Sequence, residues 1–183
     1  MPQPCVVVDV KLTRLAFTHD QLDLAWADLG PRRLRARPVH VLLSNPAMAG
    51  IGHRRPPALP TSTLEAAADL VAALAAALAA APLAAFDPDL AADGIERLLA
   101  LAGRPLALPG TVDIGRLVAD RVDTPASLTL DEACAALRVR PPHPVAPGAG
   151  RVAAAVGCLT TLDRLDAGLP PAAVDRAGIR VSA

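Results

Sequence analysis

Residues 5–10, CVVVDV, form a β-branched run of the kind a central strand buries on both faces. Two more strand-type stretches follow before any helix can begin. Residues 21–29, QLDLAWADL, alternate Leu22, Leu24 and Trp26 with Asp23. After the basic turn GPRRLRARP, residues 39–43, VHVLL, read as a third strand, which SNP closes. Three consecutive strands with short connections predict an antiparallel meander, and every later element must pack on it.

The remainder is mostly helical in pattern. Ser62 and Glu65 have capping-box spacing and predict a helix from about Thr63 to Ala80. The uncharged run 70–86 is shorter than the ~20 residues needed to span a bilayer, and its alanines are only weakly apolar, so a buried helix and no membrane contact are expected. LAAF, 83–86, reads as a short strand, and DPDLAADGIERLLALAG as a helix stopped by Gly103. VDIGRLVADRV reads as a helix, with Ile114, Leu117, Val118 and Val122 near helical spacing. Thr129 and Glu132 form a second capping box, ahead of DEACAALRV. The Pro- and Gly-rich PPHPVAPGAG reads as a loop before a last helix, RVAAAVGCLTTLDRL. The fold class is α/β with a mixed sheet. One domain over 1–165 and a peripheral tail over 166–183 are expected from the chain length and pattern.

Charge and composition narrow the function. Eighteen basic side chains balance eighteen acidic ones, so there is no global positive field for tight non-specific nucleic-acid binding, although a local groove remains open. Two Phe, one Trp and no Tyr leave few platforms for stacked bases. Cys5, Cys134 and Cys158 share no metal-ligand spacing, and an odd number does not make a disulfide framework. They read as reduced thiols. The first positive charge is Lys11, and the apolar run before it is short, so no secretory signal is read and a cytoplasmic protein is expected.

Six phrases in order resemble those of the DEDD-type 3′-5′ exonuclease family, the proofreading type that includes the DNA polymerase III epsilon subunit. VVVDVKLTRL is similar to a first strand reading VVVDVETTGL, and APLAAFDPDLAADGIERLLALAGRPL aligns without a gap with the approach to the second motif. SNP, TVDIGRLVA, TLDEACAALRV and HPVAPGAGRVA supply the rest, over about residues 5–165. The resemblance implies a ribonuclease H-like fold. It also implies hydrolysis of nucleic-acid ends by two Mg²⁺ or Mn²⁺ ions held ~4 Å apart by clustered carboxylates.

Carried over residue by residue, that pattern is incomplete. Asp9 matches the first acid, but Lys11 stands at the second, Ala91 at the second-motif aspartate and Gly148 at the last one. His143 matches the general base. Asp87, Asp89 and Asp93 lie near Ala91 and are the candidates for substitute ligands. His53, Arg54 and Arg55 fall in the loop that the resemblance implies borders the substrate groove. The expectation is a catalytically impaired protein without a bound cofactor, retained for binding single-stranded nucleic acid or a protein partner. The alternative is an active Mg²⁺- or Mn²⁺-dependent exonuclease with relocated ligands.

Other readings stand beside these. Asp9 and Lys11, two apart on one strand face, are open to a mutual salt bridge instead of a residual metal site. His143 between two prolines reads as a solvated loop residue rather than a base without its partner, and Asp113 reads as a helix cap. The arginines at 32, 33, 35 and 37 are open to phosphate contact or plain solvation.

Overall fold

The computed structural model describes residues 4–16, 19–28, 37–44, 68–141 and 147–169. His53, Arg54, Arg55 and His143, the Ser62/Glu65 capping box and the arginines at 32, 33 and 35 lie outside the described residues.

The N-terminal valines place β1 (Val6–Ala16) at the centre of a five-stranded mixed sheet. It pairs antiparallel with β2 (His19–Asp28), which pairs antiparallel with β3 (Arg37–Ser44), so the expected meander forms. On its other side β1 runs parallel to β4 (Leu83–Ala85), and β4 to β5 (Thr111–Asp113), giving the order β3-β2-β1-β4-β5. Strand β1 is longer than its apolar run. The segment from Lys11 to Arg14 stays extended through its ladder with β2, in which Lys11 is opposite Asp23 and Asp9 opposite Ala25.

The period of two sends alternate side chains of β1 into two cores. On one face Val6 and Val8 meet Leu24 and Trp26, together with Val71, Leu74 and Leu78 of α1 (Ala68–Ala80) and Ile95, Leu98 and Leu99 of α2 (Pro88–Leu101). On the other, Cys5 and Val7 meet α3 (Ile114–Arg121), α4 (Leu130–Leu137) and α5 (Pro147–Asp166). The buried positions 71, 74 and 78 form one helical stripe against this core, while Ala73, Ala76, Ala79 and Ala80 of the uncharged run are exposed. Among the described residues no helix is long and apolar enough to cross a membrane.

Two boundaries differ from expectation. Residues 111–113 are a strand and not the start of a helix, because parallel pairing with β4 holds them extended until Asp113 caps α3. Leu117 and Val122 are correspondingly exposed, while Ile114 and Val118 are buried. Helix α5 begins at Pro147, four residues before the expected Arg151, since proline is compatible with a first helical turn. Gly148 therefore lies on the helix. A Cβ there would stand 3.1 Å from that of Ala25, so glycine lets α5 settle closely on β2.

Candidate functional site

Strand β4 ends at Ala85 while β1 continues, and the chain turns away into α2. A crevice opens at the carboxyl end of the two parallel strands, the usual place for a ligand in an open α/β sheet. It measures about 340 Å³ and is lined by Val8, Asp9 and Val10 of β1, Phe86, Asp87 and Ala91 at the start of α2, Thr129 and Leu130 at the start of α4, and Arg151 of α5.

The charged pair in this cleft is Asp9 and Arg151. Arg151 donates from Nε to Asp9 Oδ1 at 2.8 Å, with the Asp9 side chain 22% exposed and that of Arg151 42% exposed. The expected Asp9–Lys11 bridge is thus replaced. Residues two apart on a strand are about 6.7 Å apart with side chains standing parallel, whereas α5 carries a long guanidinium across the sheet onto Asp9. Lys11 is exposed. Arg151 lies one helical turn beyond Gly148, so the charge that this part of α5 brings to Asp9 is positive.

Ala91, where the resemblance leads one to expect an aspartate, brings no charge. Ala91 is buried in the cleft wall and contributes a methyl group. Asp87 also lines the cleft, but as the N-cap of α2 it accepts from the Leu90 N–H at 3.1 Å. Asp89 and Asp93 are exposed on α2 and do not line the cleft. Asp9 and Asp87 are the carboxylates in its lining, and among the described residues no group of three or more His, Cys, Asp or Glu is arranged to hold a metal.

Two expected structural roles are present. Asp113 caps α3, accepting from the Arg116 N–H at 2.9 Å and from Ser127 Oγ at 3.2 Å. Thr129 and Glu132 form the full capping box of α4, with Glu132 Oε2 2.9 Å from the Thr129 nitrogen. Those bonds to Thr129 hold the Glu132 carboxyl below its ordinary pKa. Arg151 itself was not among the residues singled out by sequence; its position in a basic-poor helix, three after Gly148, was the available signal.

In comparison with known proteins, the chain matches no family model and no curated protein.

Proposed function

We propose that this chain is a catalytically disabled relative of the DEDD-type 3′-5′ exonucleases, with a ribonuclease H-like fold retained for binding. In this reading the Asp9–Arg151 ion pair stands in the place of the metal centre. That pair is the observation that carries the proposal. A unit positive charge 4 Å from a divalent cation costs on the order of 8 kcal/mol at an effective dielectric of ~20. A guanidinium in contact with the one matching acid both neutralises it and repels Mg²⁺. The antiparallel meander followed by parallel strands and helices supports the fold assignment. The position of Asp9 and Ala91 in one cleft supports the residue-by-residue alignment.

The retained function is recognition of single-stranded nucleic acid or of a protein partner, with His53, Arg54 and Arg55 as the candidate contacts for a nucleic acid. Two measurements test it. Mg²⁺ or Mn²⁺ at millimolar concentration should neither raise the thermal midpoint nor release nucleotides from single-stranded DNA or RNA. Oligonucleotide affinity, read by fluorescence anisotropy, should fall with salt and with Arg54→Ala plus Arg55→Ala. Metal-dependent release abolished by Asp9→Ala would overturn the disabled reading in favour of the active one. Absence of oligonucleotide binding at low salt would leave protein recognition as the retained role.

A further inference from the structure

Cys134 of α4 and Cys158 of α5 are buried, and their Sγ atoms face each other at 3.9 Å. Packing at the exit of α4 brings the two helices together there. Arg138, in the left-handed region at φ 56°, turns the chain, and the Val139 N–H donates to the Cys134 carbonyl at 2.9 Å. Val139 then lies against Gly157, where a Cβ would come within 2.8 Å of Val139 Cγ1. The glycine beside Cys158 is what allows this close approach. Neither thiol lines the cleft or caps a helix.

We infer that Cys134 and Cys158 are an intramolecular redox pair, and that their oxidation to a disulfide bolts α4 to α5 beneath the wall of the cleft. The helical repeat links the bolt to that wall. Leu130 lies one turn before Cys134, and Arg151 and Ala155 lie seven and three residues before Cys158 on α5; all three line the cleft. A disulfide is ~2.05 Å long, so closure draws the sulfurs together by roughly 1.9 Å. That is within reach of side-chain rotation and a small helix shift. The inference is independent of what the cleft binds.

With a peroxide as oxidant the step balances. The Cys134 thiolate attacks one peroxide oxygen, an S–O bond forms, the O–O bond breaks, and the leaving hydroxide is protonated to water. The Cys158 sulfur then attacks the Cys134 sulfenic acid. An S–S bond forms, the S–O bond breaks, and the second water leaves with the Cys158 proton. Two thiols and one peroxide become one disulfide and two waters. Either sulfur can donate to the other across the 3.9 Å contact, so the same steps balance with Cys158 attacking first. Burial pushes both thiols up, so oxidation is slow at neutral pH.

The test uses the full reduced chain, treated with hydrogen peroxide, alkylated and mapped without reduction. The expected result is an intact mass short by two hydrogens, a thiol count falling from three to one, and a peptide linking Cys134 to Cys158. Cys5→Ser should give the same linked peptide. The thermal midpoint should rise by about 5–10 °C on oxidation and return on reduction. Linkage through Cys5, disulfide-linked dimers, sulfinic acid at one cysteine beside an intact thiol, or three surviving thiols would overturn the redox pair. An unchanged or lowered midpoint with the linkage formed would overturn the bolt. Mapping the wild-type chain keeps the result independent of whether any cysteine variant folds.

Discussion

Arg151 Nε and Asp9 Oδ1 meet at 2.8 Å across 142 positions of sequence, joining α5 to the central strand. Both side chains are part-exposed, so their coupling belongs between that of surface pairs and that of buried ones. A double-mutant cycle of Asp9→Asn and Arg151→Gln should give a coupling of about 1 kcal/mol by urea denaturation, smaller at high salt. A coupling near zero would mean that the pair holds neither residue in place.

If the chain is the disabled exonuclease relative proposed above, no single substitution restores metal binding. Lys11→Glu alone leaves Arg151 on Asp9 and a methyl group at Ala91. Arg151→Ala alone leaves one matching acid. Each single variant should show no Mn²⁺ heat by calorimetry, whereas Lys11→Glu, Ala91→Asp and Arg151→Ala combined should bind measurably. Strong nucleotide release from Lys11→Glu alone would refute the alignment that places Ala91 and Gly148 at ligand positions.

The contrast between local and distant features explains which parts were legible in the sequence. The valine run, the Thr129/Glu132 box and the Asp113 cap depend on neighbours within a few residues, so spacing alone encodes them. The Asp9–Arg151 pair depends on α5 crossing the sheet, and no local period records a partner 142 positions away. Strand β5 was hidden for a similar reason. Three residues carry too little pattern, and only the parallel ladder with β4 holds them extended. The early start of α5 was masked by Pro147 and Gly148, which read as loop until proline is placed in the first turn and glycine against Ala25.

Gly115, in the first turn of α3, is a steric prediction. A Cβ there would run into the Leu128 carbonyl oxygen and lie 2.6 Å from Ser127 Oγ. The same segment donates the Leu128 N–H to the Gly115 carbonyl at 3.3 Å. Helix propensity favours alanine by about 1 kcal/mol, but backbone cannot yield as a flexible side chain does. Gly115→Ala should therefore lose about 2 kcal/mol net in chemical denaturation. An equal or higher denaturation midpoint would show that the 122–129 connection moves freely away from α3.

Gly157→Ala tests the packing that brings the thiols together. The added methyl group would meet Val139 Cγ1 at 2.8 Å, and a β-branched side chain has little rotamer freedom with which to retreat. The loss should be smaller than at Gly115, about 1 kcal/mol, because a side chain and not a carbonyl is displaced. Disulfide formation under peroxide should also slow as α5 is pushed from the exit of α4. Unchanged oxidation in a destabilised Gly157→Ala variant would show that the sulfurs meet without this contact.

Acid should act on α4 through Glu132. Its carboxylate accepts from the Thr129 N–H at 2.9 Å and the Thr129 hydroxyl at 2.7 Å, and these bonds lower its folded pKa below the ordinary carboxylate value. A group whose folded pKa is depressed adds stability that is fully present above its unfolded pKa and disappears as pH falls through the folded one. Glu132→Gln keeps a side-chain acceptor but removes the charge. Wild type should therefore exceed Glu132→Gln in thermal midpoint above about pH 5, and the two should converge as the pH drops below about 4. A difference that persists unchanged into acid would assign the stabilisation to the hydrogen-bond geometry alone and not to the ionised carboxylate.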